Sequence, residues 1–202
     1  MIDFYTAGTP NGQKVHIMLE ELGIPFTMHT LDLKAGQQKS PEYLKVNPNG
    51  KIPAIIDNDA PFGRKIPVFE SGAILIYLAE KSNHFIGSNE FERAQTMSWL
   101  MFQMSGIGPI LGNYNYAKTN SIPPMMSRFE AEAKRVFAVM NLHLGQNQYL
   151  AGDFYSIADM ATYPWLAGTL KSKPEWFETT PNIRRWLDLV GQRPAIKKVF
   201  AK

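Results

Sequence analysis

Asn49-Gly50-Lys51-Ile52-Pro53-Ala54-Ile55-Ile56, read with Glu70-Ser71-Gly72-Ala73-Ile74, decides the fold. An apolar, β-branched run that opens on proline reads as a strand whose first residue has no N–H for the ladder. A second short apolar run, 66–69, ends in an acid–hydroxyl pair, and the apolar segment 72–79 beyond it has helical length with no internal breaker. Glu70 and Ser71 therefore sit at a strand-to-helix junction, where unbonded N–H groups and the helix dipole favour a carboxylate. The acid adds a partner for an amine. Together they suit the α-amino acid end of a ligand.

Working outward, residues 1–5 read as a short strand and 6–12 as a loop rich in Gly, Pro and Asn. Val15, Met18, Leu19 and Leu22 recur at helical spacing until Gly23 and Pro25 stop the helix. A second strand is predicted over 26–33, a polar loop over 32–38 and a helical turn over 41–46. The order β-α-β-α-β-β-α fits a thioredoxin-like half built on a single mixed sheet. Past the polar stretch 82–89 no strand pattern returns. Helices are predicted over 90–117, 124–144, 157–170, 182–189 and 195–201, the first kinked at Pro109. The expected fold is thus α/β followed by all-α: a domain over 1–81, a linker over 82–89 and a helical domain over 90–202. Ser156-Ile157-Ala158-Asp159 opens one of these helices as a capping box, a structural device, so Asp159 is not expected to be catalytic.

The apolar share of 45% and aromatic share of 12% are those of a folded chain. The net charge of +3 is mild, and although Lys171, Lys173, Lys197, Lys198 and Lys202 gather late in the chain, no dense basic run interleaves with aromatics. That argues against nucleic-acid binding. With no cysteine, disulfides, thiolate metal sites and a protein-borne thiol nucleophile are excluded. His16, His29, His84 and His143 lack paired ligand spacing, so no metal is expected. No secretory signal and no run of membrane-spanning length is visible, and a soluble cytoplasmic protein that does not engage a membrane is the expectation.

These motifs resemble the cytosolic glutathione S-transferase family, and within it the Nu-class and fungal nitrogen-regulator-like branch, over essentially the whole chain. The resemblance implies the two-domain architecture above, a homodimer, and glutathione as co-substrate, held as one molecule, two molecules or the disulfide form. In that family the proline at the position of Pro53 is cis, and the main chain of Ile52 would pair with the cysteinyl part of glutathione. Glu70 would take the γ-glutamyl ammonium and Ser71 the adjoining carboxylate, while Lys51 and Gln38 would approach the glycyl end. The plainer readings are a proline that starts an edge strand, an ordinary N-cap pair and a solvated lysine.

Thr9-Pro10-Asn11-Gly12 would set the reactive end. A thiol has a pKa of about 8.5, and each unit of lowering needs about 1.4 kcal/mol of preferential thiolate stabilisation. Thr9 Oγ, the Asn11 amide and the N–H groups that open the first helix are the available donors. The wider family has Tyr, Ser or Cys here; this hydroxyl-Pro-Asn arrangement matches the Nu-class branch. Tyr5 competes as a phenolic donor, and a plain N-cap is the simpler role for Thr9 and Asn11. In the second half, Trp99-Leu100-Met101-Phe102-Gln103 with Gly106-Ile107-Gly108-Pro109 resembles the branch's fourth-helix signature. Asn113-Tyr114-Asn115-Tyr116 departs from its Gln-Asn-His-His-type stretch. Arg128 matches an arginine that in the branch reaches glutathione, the alternative being an i+4 pair with Glu132. Met97, Met101 and Met104 fit core or dimer packing better than substrate contact.

The expected function is glutathione-dependent disulfide-bond oxidoreduction, the thiolate of bound glutathione attacking a small disulfide. The alternatives are a conjugating transferase or glutathione peroxidase acting on an electrophile or hydroperoxide, a non-catalytic glutathione-binding regulator, and a module without ligand.

Overall fold

The computed structural model describes residues 1–60 and 63–201; Lys202, the end of the expected helical domain, lies outside them. The chain divides into two compact units, one of residues 1–84 joined by the last residues from Lys198, the other of residues 85–197.

The first unit runs β1 (Ile2–Thr6), α1 (Pro10–Leu22), β2 (Phe26–Thr30), a 3-10 turn (Gln37–Lys39), α2 (Pro41–Leu44), β3 (Ala54–Asp57), β4 (Ile66–Phe69) and α3 (Ser71–Ser82). The strands form one mixed sheet in the order β2-β1-β3-β4, with β1 parallel to β2 and antiparallel to β3. This is the predicted order of elements. Ile2, Phe4 and Thr6 alternate inward along β1 and meet Val15, Met18 and Leu19 of α1 and Ile74, Leu75 and Leu78 of α3 in a buried core. Each such large side chain contributes roughly 1.5–3 kcal/mol when fully buried. Gly23 ends α1 at φ +61, a left-handed cap that costs glycine little.

The second strand stops at Thr30, three residues short of its predicted end, because Asp32 Oδ1 accepts from the N–H groups of Lys34 (2.9 Å) and Ala35 (3.1 Å) and turns the chain. At the far end of β3, the carboxylate of Asp57 accepts from Lys81 and from the Tyr77 hydroxyl (2.7 Å), tying the sheet to α3. Burial alone would raise the pKa of Asp57, but these bonds outweigh it and hold the carboxyl below its ordinary value.

The second unit is helical: α4 (Glu90–Phe102), α5 (Gly108–Thr119), α6 (Pro123–Leu144), α7 (Ile157–Ser172), α8 (Pro181–Gly191) and, crossing into the last residues, α9 (Pro194–Phe200). The helix predicted over 90–117 is two helices joined by a π-helical turn, Gln103–Ile107. Pro109 has no N–H and its ring crowds the carbonyl of Ser105, and the widened turn takes up that conflict just before it. In α8, Ile183, Trp186, Leu187 and Val190 fall on one buried stripe. Tyr114, Phe137, Trp176 and Phe177 pack as an aromatic core, with Tyr114 edge-on to Trp176 at 4.8 Å.

The predicted capping box at Ser156 is formed, and it extends further than the motif indicates. Asp159, fully buried, accepts from Ser156 N (3.0 Å) and Oγ (3.1 Å), from Leu150 N (3.0 Å) and from Trp186 Nε1 (2.8 Å). Burial pushes its pKa up to about 6 against the pull of these donors. The role is structural, as its sequence context implies.

Candidate functional site

The register of the sheet assembles the site. Tyr5 pairs with Ala54, which pairs with Phe69. The end of β1, the start of β3 and the end of β4 therefore lie at one end of the sheet, as does the end of β2 beside Thr6. The segments attached there are Thr9–Gly12, Ile52–Pro53 and Glu70–Ser71, with the Gln38 turn following β2. Residues far apart in sequence thus converge by topology.

Thr9 is the N-cap of α1, its Oγ accepting from Gly12 N–H at 3.3 Å, and Pro10 opens the helix. A hydroxyl that accepts here still has its one hydrogen to donate outward. Asn11 follows, half-buried in the first turn. Gly12 is required by proximity: a Cβ there would lie 2.3 Å from Thr6 Oγ1 and 2.5 Å from the Ala7 carbonyl oxygen. Gly12→Ala is therefore expected to displace residues 6–9 and destabilise the first unit by about 1–3 kcal/mol; an unchanged thermal midpoint would contradict the close approach. A cavity of about 350 Å³ borders the same corner, lined by Thr6, Gly8, Gly12, His16, Thr30 and Phe200 among others. Tyr5 lies flat on His29 (4.6 Å between rings) and tilts against Tyr43.

The Ile52–Pro53 peptide is cis. The corner before it is braced through Lys51, whose carbonyl accepts from the Tyr43 hydroxyl and from Asn47 Nδ2, both at 2.6 Å. Burial raises the Tyr43 pKa to about 12, so the phenol stays protonated and able to donate. Asn47 is itself buried and also accepts from Asn49 N–H at 3.0 Å. Ile52 stays outside the ladder, which begins at Ala54. The Lys51 side chain is exposed. Gln38 Nε2 donates to the Leu33 carbonyl at 3.2 Å, and its Oε1 is buried without a partner among the described residues.

Glu70 occupies φ +70, ψ +120 at the head of α3. That conformation is costly for a residue with a Cβ, by roughly 1–3 kcal/mol, and such strain gathers at ligand sites. Its side chain is exposed, whereas Ser71 is buried. Against Ser71 stands a residue absent from the sequence-derived site: Lys14 of α1, 1% exposed, with Nζ 3.4 Å from Ser71 Oγ. Burial pushes its ammonium down to about 7, against the upward pull of Glu70. The signal for it was a position four residues before Met18, on the apolar stripe of α1.

Arg128 lies in the other unit, exposed on α6, and lines a cavity of about 770 Å³ there with Phe102, Ser105, Asn113 and Glu132. Among the described residues Glu132 bonds Arg135 (2.6 Å), not Arg128, so the i+4 pairing is not formed. Of the stretch 113–116, Asn113 borders this cavity and bonds the Pro109 carbonyl (2.8 Å), while Tyr114 turns into the core. Met101 is exposed and Met97 and Met104 half-buried, so none of the three is core. Among the described residues no group of His, Cys, Asp or Glu could hold a metal ion, and no helix is long and apolar enough to cross a membrane.

The family described as "Glutathione S-transferase, N-terminal domain" matches residues 2–80, and "Glutathione S-transferase, C-terminal domain" matches residues 124–194. The chain is 39% identical to the disulfide-bond oxidoreductase YfcG of Escherichia coli, over all of this chain and 95% of that one. It is 40% identical to the disulfide-bond oxidoreductase YghU of the same organism, over 98% of this chain and 73% of that one. Among solved structures, a glutathione transferase from Burkholderia graminis with two glutathione molecules bound per subunit superposes at a TM-score of 0.93, with 40% identity over 98% of this chain and 86% of that one. One from Pseudomonas putida, with one glutathione disulfide bound per subunit, also gives 0.93, with 38% identity over 98% and 90%. Two matched domains and close similarity along the whole chain make this protein a glutathione S-transferase-like enzyme, a member of the glutathione S-transferase family.

Proposed function

We propose that the protein is a glutathione-dependent disulfide-bond oxidoreductase acting on small disulfides. The observation that carries this reading is Thr9 at the head of α1, whose hydroxyl accepts from Gly12 N–H and so has its own hydrogen to offer a glutathione sulfur in this proposal. Thr9, the Asn11 amide and the positive end of α1 stabilise the thiolate of bound glutathione and lower its pKa. That thiolate attacks one sulfur of the disulfide; an S–S bond forms as the old one breaks, and the leaving thiolate takes up a proton. A second glutathione thiolate then attacks the mixed disulfide, giving glutathione disulfide and the second reduced thiol. The chain has no cysteine to join this exchange, so both electrons come from glutathione.

In this reading Ile52, next to cis-Pro53, offers its main chain to the cysteinyl part, and Glu70 and Ser71 hold the γ-glutamyl end. Lys51 and Gln38 approach the glycyl carboxylate. The relatives named as disulfide-bond oxidoreductases, and solved relatives holding two glutathione molecules or the disulfide, support it. A homodimer working in the cytoplasm completes the proposal.

The test is steady-state turnover with glutathione and 2-hydroxyethyl disulfide, set beside a chlorinated aromatic conjugation substrate, for wild type, Thr9→Ala and Asn11→Ala. Disulfide turnover should dominate and fall about 10-fold or more in each variant, the equivalent of one lost thiolate donor. Dominant conjugation would instead mark a transferase. Silence with both substrates, despite glutathione binding, would mark a regulator.

A further inference from the structure

Lys14 is a buried lysine with no part in the reading above, and it carries its proton below about pH 7. It projects from α1 across to the head of α3, where its Nζ meets Ser71 Oγ at 3.4 Å. An ammonium has N–H donors and no acceptor, and a serine hydroxyl has a single hydrogen. While Lys14 is protonated and donates into Oγ, the hydroxyl hydrogen is turned away from Lys14, and Ser71 faces other groups as a donor. A donor at a helix N-terminus receives a carboxylate and rejects an ammonium. Glu70, one residue earlier and exposed, is an acceptor and does the reverse. Glu70 also acts on Lys14 as a charge across this packing.

We propose that Lys14 is a positioning residue for the α-carboxylate of the γ-glutamyl end of glutathione, acting through the hydroxyl of Ser71. The inference rests on the glutathione reading above. Holding a lysine at 1% exposure is costly, and methionine would fill the same volume without a charge. A part that only packed α1 against α3 would not need the ammonium. With the ammonium in place, Lys14 and Glu70 give the two ends of an α-amino acid opposite partners and so set its orientation.

The experiment is calorimetric binding of two ligands, glutathione and 4-aminobutyryl-cysteinyl-glycine, which lacks only that α-carboxylate. They are titrated at pH 6, where Lys14 carries its proton, into wild type, Lys14→Met, Ser71→Ala and the double variant. Lys14→Met should weaken glutathione binding about 10-fold or more, the scale of a hydrogen bond to a charged group, and change binding of the analogue less than about 2-fold. Ser71→Ala should do the same, with the double variant no weaker than the weaker single. A thermal midpoint for Lys14→Met at or above that of wild type certifies the fold; Ser71→Ala, which keeps the lysine, carries the comparison if it drops. Unchanged glutathione binding by Lys14→Met, or equal loss of both ligands, overturns the inference and leaves the glutathione reading standing. Wild type that binds neither ligand overturns both.

Discussion

Asp159→Ala is expected to destabilise the helical unit by about 3–5 kcal/mol, the cost of orphaning several buried donors at once. The carboxylate is fully buried and is the shared acceptor for Ser156 N and Oγ, Leu150 N and Trp186 Nε1. Alanine leaves these donors facing a cavity with no acceptor, each orphaned donor costing about 1–3 kcal/mol before relaxation. The damage reaches beyond the start of α7, because the same oxygen that holds Leu150 also holds the indole of α8. Loss of an N-cap alone costs about 1 kcal/mol. Chemical denaturation separates the two accounts: a loss near 1 kcal/mol means that Asp159 is only a cap, whereas 3 kcal/mol or more means that it ties three segments. Asp159→Asn should fall between, since its amide keeps one acceptor oxygen and turns an NH₂ group towards the remaining donors.

Lys14→Met is expected to stabilise the protein, and to do so most below neutral pH. Burial sets the folded pKa of Lys14 at about 7 against an ordinary 10.5. Below pH 7 both folded and unfolded chains carry the proton, and the folded state bears the whole cost of the buried charge. Between 7 and 10.5 the unfolded chain holds a proton that the folded chain has released, so wild-type stability rises with pH. Above 10.5 the cost is gone. Across the interval the recovery is on the order of 4–5 kcal/mol, at about 1.4 kcal/mol per pKa unit. Denaturation midpoints of wild type and Lys14→Met at pH 6.5 and pH 10 read this directly, because other titrating groups are common to both chains. The advantage of the variant should shrink markedly by pH 10; a gap independent of pH would show that Lys14 carries no buried charge. Greater stability joined to weaker glutathione binding is the expected signature of a residue kept for function.

Much of the fold was legible because its cues are local. Gly23, Pro25, Ser156 and the apolar spacing of α1 mark helix ends and a helix face within a few residues of themselves, and hydrogen bonding is satisfied over the same range. The strand-to-helix junction at Glu70–Ser71 and the capping box at Ser156–Asp159 belong to this class. So does the N-cap at Thr9, which bonds a residue three positions away. A local conflict can still resolve in more than one way: Pro109 forbade a regular helix through 90–117, but packing chose a π-helical turn at Gln103–Ile107 over a simple kink.

Tertiary structure decided what these local pieces face. The alignment of Tyr5, Ala54 and Phe69 across the sheet brings the Thr9, Pro53 and Glu70 segments to one end, and strand register is set by the whole core. Asp159 reaches Trp186 across 27 positions, and Lys14 reaches Ser71 across 57. No periodicity encodes such pairs. Lysine by type belongs at the surface. Position 14 is buried because α1 must pack on α3 to cover Val15, Met18 and Leu19, and that packing carries the ammonium inward to the serine that heads α3.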